Sequence, residues 1–203
     1  MTDQNVYLKM LDIIRWDVKN PPEISVWGKI EQCVKECVSC GLHKTRTQTV
    51  FGTGNRNARV MFIGEAPGAE EDKQGKPFVG RAGQLLTQML RAVGFARDDV
   101  FIANILKCRP PNNRDPQAEE VEKCTPFLRE QIELIKPDVL VALGRIASHF
   151  LLDTTTSLSK LRGQVFKFNN TPLLVTYHPA YLLRTPADKS KAYEDLKKIR
   201  EFL

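Results

Sequence analysis

One stretch, Val60 to Gly80 (VMFIGEAPGAEEDKQGKPFVG), restricts the folds open to this chain more than any other. It begins with Val60-Met61-Phe62-Ile63, four consecutive apolar residues of the kind that form a strand buried on both faces. At Gly64 the run breaks into a loop that carries Glu65, Ala66, Glu71 and Asp72, with Gly68, Gly75, Pro67 and Pro77 among them. Phe78 sits near its far end, and a helical pattern follows. Open α/β sheets bind ligands beyond the carboxyl ends of their strands, which is where this loop falls. It spans ~17 residues where a βα connection usually has 2–6, and that excess marks it for function.

Three further apolar runs repeat the theme. Val100-Phe101-Ile102-Ala103 reads as a second buried strand, with Asn104 at its carboxyl end and the rigid basic loop Lys107-Cys108-Arg109-Pro110-Pro111-Asn112-Asn113-Arg114 behind it. Asp138 to Leu143 is a third, followed by Gly144-Arg145 opening a short helix whose His149 is read as structural. Val165–Phe168 and Pro172–Thr176 form a hairpin around Asn169-Asn170, its second limb being the fourth strand. Helices are expected over Gly83–Val93, where Gly94 is a natural stop, over Asp188–Leu203, and over Pro116–Ile135. The last should break near Thr125-Pro126, with Thr125 capping the second piece. The expected architecture is therefore α/β, a three-layer α/β/α sandwich around a four-stranded parallel sheet.

Two side chains at strand ends suit recognition of a polar ring. The amide of Asn104 donates and accepts at once, which the edge of a pyrimidine demands, although Asn at a strand end is often only a turn former. His178 precedes Pro179 and is held extended, so its ring projects from the fourth strand into the crevice shared by Gly64, Glu65 and Asn104. Leu182-Leu183 then stand inside a basic segment. They read either as a wedge between base steps or as the first core positions of the last helix.

Charge points the same way without deciding anything. The 203 residues carry a net charge of +6. From Lys160 to Leu203 nine Lys/Arg face four Asp/Glu, so +5 of that excess lies in the last fifth, as a polyanionic partner would favour. No segment approaches the ~18 apolar residues of a membrane span, so no membrane partner is expected. The first residues, Met1-Thr2-Asp3-Gln4, show neither a basic nor an apolar leader, so a cytoplasmic protein with unpaired thiols is expected.

There are five cysteines. Cys33, Cys37 and Cys40 are spaced C-x3-C-x2-C, and Cys108 and Cys124 follow much later. A CxxC at a helix end lets two thiolates converge, and two distant cysteines complete a four-thiolate site. Spacing alone leaves zinc and an iron–sulfur cluster both open, as well as the choice between Cys33 and Cys37, with Cys37 preferred. A buried Cys124 packed beside Val121 and Leu128 is the alternative. Ahead of them, Tyr7, Met10, Leu11, Ile14 and Val18 suggest a helix to about Trp16, stopped by Asn20-Pro21-Pro22. A second helix is expected from Ile24 to about Val38.

Taken in order, Gly64-Glu65-Ala66-Pro67-Gly68, the KPFVGRAG segment with Phe78, Asn104 followed by LKCRPPNNR, and His178-Pro179-Ala180-Tyr181-Leu182-Leu183-Arg184 resemble family 4 uracil-DNA glycosylases. The resemblance runs from about Cys37 to the C-terminus, so residues 1–35 are read as a helical extension and 36–203 as the catalytic domain. It implies a monomeric enzyme acting on uracil-containing DNA, single- or double-stranded. A flipped deoxyuridine would stack on Phe78 and be read by Asn104, with Gly64, Glu65 and Ala66 lining base and water. His178 would donate to uracil O2, Leu182 would fill the gap in the duplex, and Arg184 would hold phosphate. Cys37, Cys40, Cys108 and Cys124 would carry a structural four-iron four-sulfur (4Fe-4S) cluster, zinc being the lesser alternative. A sister group uses an inserted loop with a nucleophilic His after the Asn strand. The histidines here are His43, His149 and His178, and no such insertion is visible, so turnover is expected in place of capture. Ala180 stands where relatives outside the group often have Ser. Which of Glu65, Glu71 and Asp72 positions the water is open at this stage. The competing readings are a non-catalytic cluster or zinc protein that binds nucleic acid, a glycosylase for other deaminated bases, and a small-molecule α/β enzyme.

Overall fold

The computed structural model describes residues 25–203, and the helix expected up to about Trp16 lies outside the described residues. The elements are α1 (Val26–Glu36), β1 (Thr53–Gly54), β2 (Val60–Gly64), α2 (Ala69–Gln74), α3 (Arg81–Ala92) and β3 (Phe101–Asn104). There follow α4 (Ala118–Ile135), β4 (Val139–Leu143), α5 (Arg145–Leu152), α6 (Leu158–Leu161), β5 (Val165–Phe168), β6 (Thr171–Thr176), α7 (Pro179–Arg184) and α8 (Lys189–Lys197). Strands β3, β2, β4 and β6 form the parallel centre, and all four expected strands lie in it. Two antiparallel edges extend it to six strands, β1 beside β3 and β5 beside β6. The limb β5 is the expected hairpin partner. The two-residue β1 is too short to leave a periodic signature.

Alternation along each strand sends side chains to both faces, and both are covered. Met61, Ile63, Phe101, Ala103, Leu140 and Ala142 pack with Leu128, Ile132 and Ile135 of α4 and Ala147 and Leu151 of α5. Val60, Phe62, Ile102, Val139 and Val141 pack with Leu86 and Leu90 of α3, with Leu196 of α8 and with Ile199 beyond it. These are the three layers. Helix α1 joins the same body, burying Ile30 and Val34 against Phe51, with Trp27 edge-on to the Phe51 ring. No described helix is long and apolar enough to cross a membrane.

Two local expectations are corrected. The loop after β2 contains the helix α2, whose first turn gathers Glu70, Glu71 and Asp72 at the positive end of its dipole and whose end is a left-handed Gly75. Helix α4 runs through Pro126 without a break. Pro126 lies on the exposed side, while Cys124, Leu128, Ile132 and Ile135 anchor the other face, so burial outweighs one lost main-chain hydrogen bond. Thr125 caps nothing there: its hydroxyl donates back to the Val121 carbonyl inside the helix.

Candidate active site

The carboxyl ends of β2, β3 and β6 meet around a hollow of about 450 Å³. Glu65, Ala66, Phe78, Asn104, His178 and Arg184 all line it. Gly64 lies beneath, paired in register with Asn104. The four pieces of chain singled out in the sequence thus face one space.

Gly64 is needed for room. A methyl group there would meet Asn104 Oδ1 and lie 2.7–2.8 Å from two carbons of the Phe78 ring, so ring and amide both rest on its bare Cα. Phe78 is buried at a left-handed φ of 52°, a costly conformation for a non-glycine residue that its surroundings must enforce. They do so from three sides. Glu71 Oε1 accepts from Val79 N at 2.8 Å and Gly80 N at 2.9 Å, satisfying amides at the start of α3. Arg97 donates to Pro77 O at 2.6 Å and to Thr87 Oγ1 at 3.2 Å. Gly83 lets α3 close onto Phe78, because a side chain at 83 would collide with the Phe78 carbonyl.

These contacts separate the three carboxylates. Glu71 is committed to Val79 and Gly80. Asp72 is buried and accepts from Thr47 N at 3.0 and 3.1 Å. Glu65 faces the hollow, and no hydrogen bond to its carboxylate is formed among the described residues. Burial, then the neighbouring Asp115, push its pKa up to about 7, against the pull of Arg145. Asp115 and Arg145 are themselves paired at 2.9 Å.

Asn104 is 2% exposed, and its Oδ1 is the one buried side-chain acceptor without a partner among the described residues. Such an atom inside a hollow is completed by a ligand that donates. His178 caps α7: its Nδ1 accepts from Ala180 N at 3.1 Å, which leaves the proton on Nε2. Burial and then Arg184 bring its pKa down to about 4, so the ring is a neutral donor at physiological pH. Its centroid lies 5.6 Å from that of Phe78. Gly144, at φ 88°, lets β4 approach, since a Cβ there would come within 2.7 Å of His178 Cβ.

Leu182 does not stand at the rim. It is 0% exposed, inserted between Leu85 of α3 and Ala192 of α8, because α7 docks on α3 through that position. The expectation of Leu182 as a wedge is corrected accordingly. The exposed leucine is Leu183, and Arg184 lines both this hollow and a second one of about 440 Å³ on the other side of His178.

Cys37, Cys40, Cys108 and Cys124 line a separate small cavity, whereas Cys33 is exposed on α1 and is not part of it. Cys37 ends α1, Cys40 precedes a single turn at Gly41–Lys44, Cys108 follows β3 and Cys124 lies on α4. Arg46 donates to Cys108 Sγ at 3.1 Å and to the Cys37 carbonyl at 2.8 Å, and Lys107 N donates to Cys124 Sγ at 3.2 Å. Arg46, Lys107 and Lys123 line the walls, which include no carboxylate. Burial pushes the Cys124 thiol up to about 11 and Cys108 upward too. Among the described residues no three Cys, His, Asp or Glu side chains are gathered closely enough to hold one metal ion.

Sequence reasoning missed Gly83, Gly144, Arg97, Asp115, Arg145 and the buried Lys107. Gly83 had a usable signal, since a glycine inside a helical pattern is costly and flags close approach.

Residues 51–197 match the family model described as uracil DNA glycosylase superfamily. A type-4 uracil-DNA glycosylase of Archaeoglobus fulgidus is 47% identical over 176 residues, covering 83% of this chain and 88% of the relative. One from Thermotoga maritima is 47% identical over 178 residues, 86% and 93% of the two chains. One from Sulfurisphaera tokodaii is 46% identical over 182 residues, 85% and 83%.

Proposed function

The chain belongs to the uracil-DNA glycosylase superfamily, and from that premise we propose that it flips deoxyuridine out of DNA and hydrolyses its N-glycosidic bond, releasing uracil and leaving an abasic site. One observation carries the reading to particular residues. Phe78, the unpartnered amide of Asn104 and the neutral ring of His178 line a single hollow that also holds Glu65.

Uracil stacks on Phe78, a contact worth roughly 1–3 kcal/mol by analogy with other base–aromatic stacks. Asn104 Oδ1 accepts from N3–H and its Nδ2 donates to O4. Cytosine, with an acceptor and a donor in those places, is turned away. His178 Nε2–H donates to O2. As the C1′–N1 bond breaks, its electron pair passes to the base and accumulates at N1 and O2, and a well-aimed donor at O2 lowers that barrier by ~3–4 kcal/mol. A water held by Glu65 adds to C1′ and gives its proton to the carboxylate. The departed base takes up a proton to become neutral uracil. Arg184 and Arg145, on the flanks, and the basic C-terminal segment hold phosphates of single- or double-stranded DNA.

Cys37, Cys40, Cys108 and Cys124 suit an iron–sulfur cluster. Two of the sulfurs, on the buried Cys108 and Cys124, already accept N–H donors, and cationic walls without a carboxylate suit an anionic occupant. A cluster held by these four cysteines would supply no chemistry to the hydrolysis; its role would be to tie the end of α1 to the segment after β3 and to α4. The alternative of a non-catalytic binding protein is disfavoured by the intact constellation around the hollow.

A uracil-containing oligonucleotide incubated with the protein and then treated with alkali tests the reading. Strand scission at the uracil position, absent when cytosine replaces it, is expected. An intact strand refutes it.

A further inference from the structure

We propose that Lys107 is a positioning residue for base recognition, holding the strand end that presents Asn104 and joining it to the cysteine cavity. This rests on the uracil reading above and deepens it.

Lys107 is 1% exposed. Its ammonium donates to the main-chain carbonyl of Asn104 at 2.8 Å and to Gln131 Oε1 at 2.7 Å, both neutral groups. Burying an ammonium with only neutral partners is costly, and an unbranched apolar side chain would fill the same space more favourably. A lysine here therefore serves something other than packing.

What it touches indicates what that is. On one side is the residue that reads the base. Asn104 Oδ1 has no protein partner, so the direction of its amide depends on where the backbone at 104 is held. Lys107 is the side chain that holds that carbonyl, and Gln131 is fixed in turn by donating to Phe51 O at 2.9 Å. On the other side Lys107 lines the cysteine cavity, its backbone N–H donates to Cys124 Sγ, and Cys108 is the next residue. A cluster held by these cysteines would carry net negative charge and would supply the counter-charge that the hydrogen-bond partners of Lys107 lack. The lysine is a strut from the cysteine cavity to the base-reading amide.

Labelled oligonucleotides carrying one 2′-fluoro-2′-deoxyuridine, or 2′-fluoro-2′-deoxycytidine at the same position, resist hydrolysis and report affinity for each base. Undamaged DNA reports phosphate binding alone. Lys107→Met is expected to lower the uridine-over-cytidine preference by about tenfold, the equivalent of one buried hydrogen bond, with affinity for undamaged DNA unchanged. Gln131→Leu keeps the charge and removes one partner. Its expected loss is smaller, and it decides the matter if Lys107→Met does not accumulate folded. A preference kept by the folded variant overturns the proposal, as does one lost in step with undamaged-DNA binding. A wild-type protein with no uridine preference overturns the functional reading as well.

Discussion

At the scale of the residue, the proposed hydrolysis rests on two groups whose surroundings set their protonation. In the proposed reaction Glu65 is ionised to hold and deprotonate water, and burial and Asp115 push its pKa up to about 7. His178 must be a neutral donor, and its pKa lies at about 4. Single-turnover rates should therefore rise with pH through about 7, with no separate inflection for a histidine in its ordinary range. Asp115 faces Glu65 from the loop after β3 and raises its pKa, while Arg145 faces it from α5 and lowers it. The other charged or titratable groups around the hollow are Glu71 on α2, Arg114 beside Asp115, and His178 and Arg184 at α7. Asp115→Asn should move the inflection to lower pH and Arg145→Ala to higher pH, as pH–rate profiles of the two variants will report. His178→Ala should slow cleavage roughly a hundredfold or more with DNA affinity retained, measured in single turnover. Glu65 could not be ranked above Glu71 and Asp72 from the sequence. What separates them is the amides of Val79, Gly80 and Thr47, and only the folded chain brings those to Glu71 and Asp72.

At the scale of the element, the long β2–α3 connection is a device for holding one strained phenylalanine. Helix α2 brings Glu71 to the start of α3, Arg97 secures Pro77, and the bare Cα atoms of Gly64 and Gly83 leave room for ring and carbonyl. Gly64→Ala should displace both Phe78 and Asn104, reducing cleavage at least about tenfold. Far-UV circular dichroism should stay that of the wild type, because β2 remains a strand. The four parallel strands were legible because strands buried on both faces leave uninterrupted apolar runs. Helix α2 was not, being six residues of mostly charged side chains with no apolar stripe. The unbroken α4 escaped, and the choice between wedge and core for Leu182 stayed open, for a common reason. Local rules fix what Pro126 lacks and what a leucine prefers, but which side of a helix meets the core is set by its neighbours.

At the scale of the whole molecule, the fold joins two cavities that the sequence keeps apart. The proposed base hollow draws on the ends of β2, β3 and β6, and the cysteine cavity draws on α1, the segment after β3, and α4. The purified protein should be coloured, with an absorbance band at about 400 nm. Cys124→Ser should lose that band and unfold at lower temperature, by about 2–5 kcal/mol if the tie stabilises as other covalent staples do. The cysteines were legible as a set through spacing. Spacing alone left Cys33 and Cys37 both open with Cys37 preferred, and one turn of α1 separates the exposed Cys33 thiol from Cys37 in the cavity wall. If one hollow grips an everted uracil, crystals of the protein soaked with uracil will show where the base sits. The base is expected stacked on Phe78, with its N3 and O4 edge against Asn104 and its O2 at His178 Nε2. Uracil bound elsewhere, or an ordered hollow that excludes it, would contradict the account.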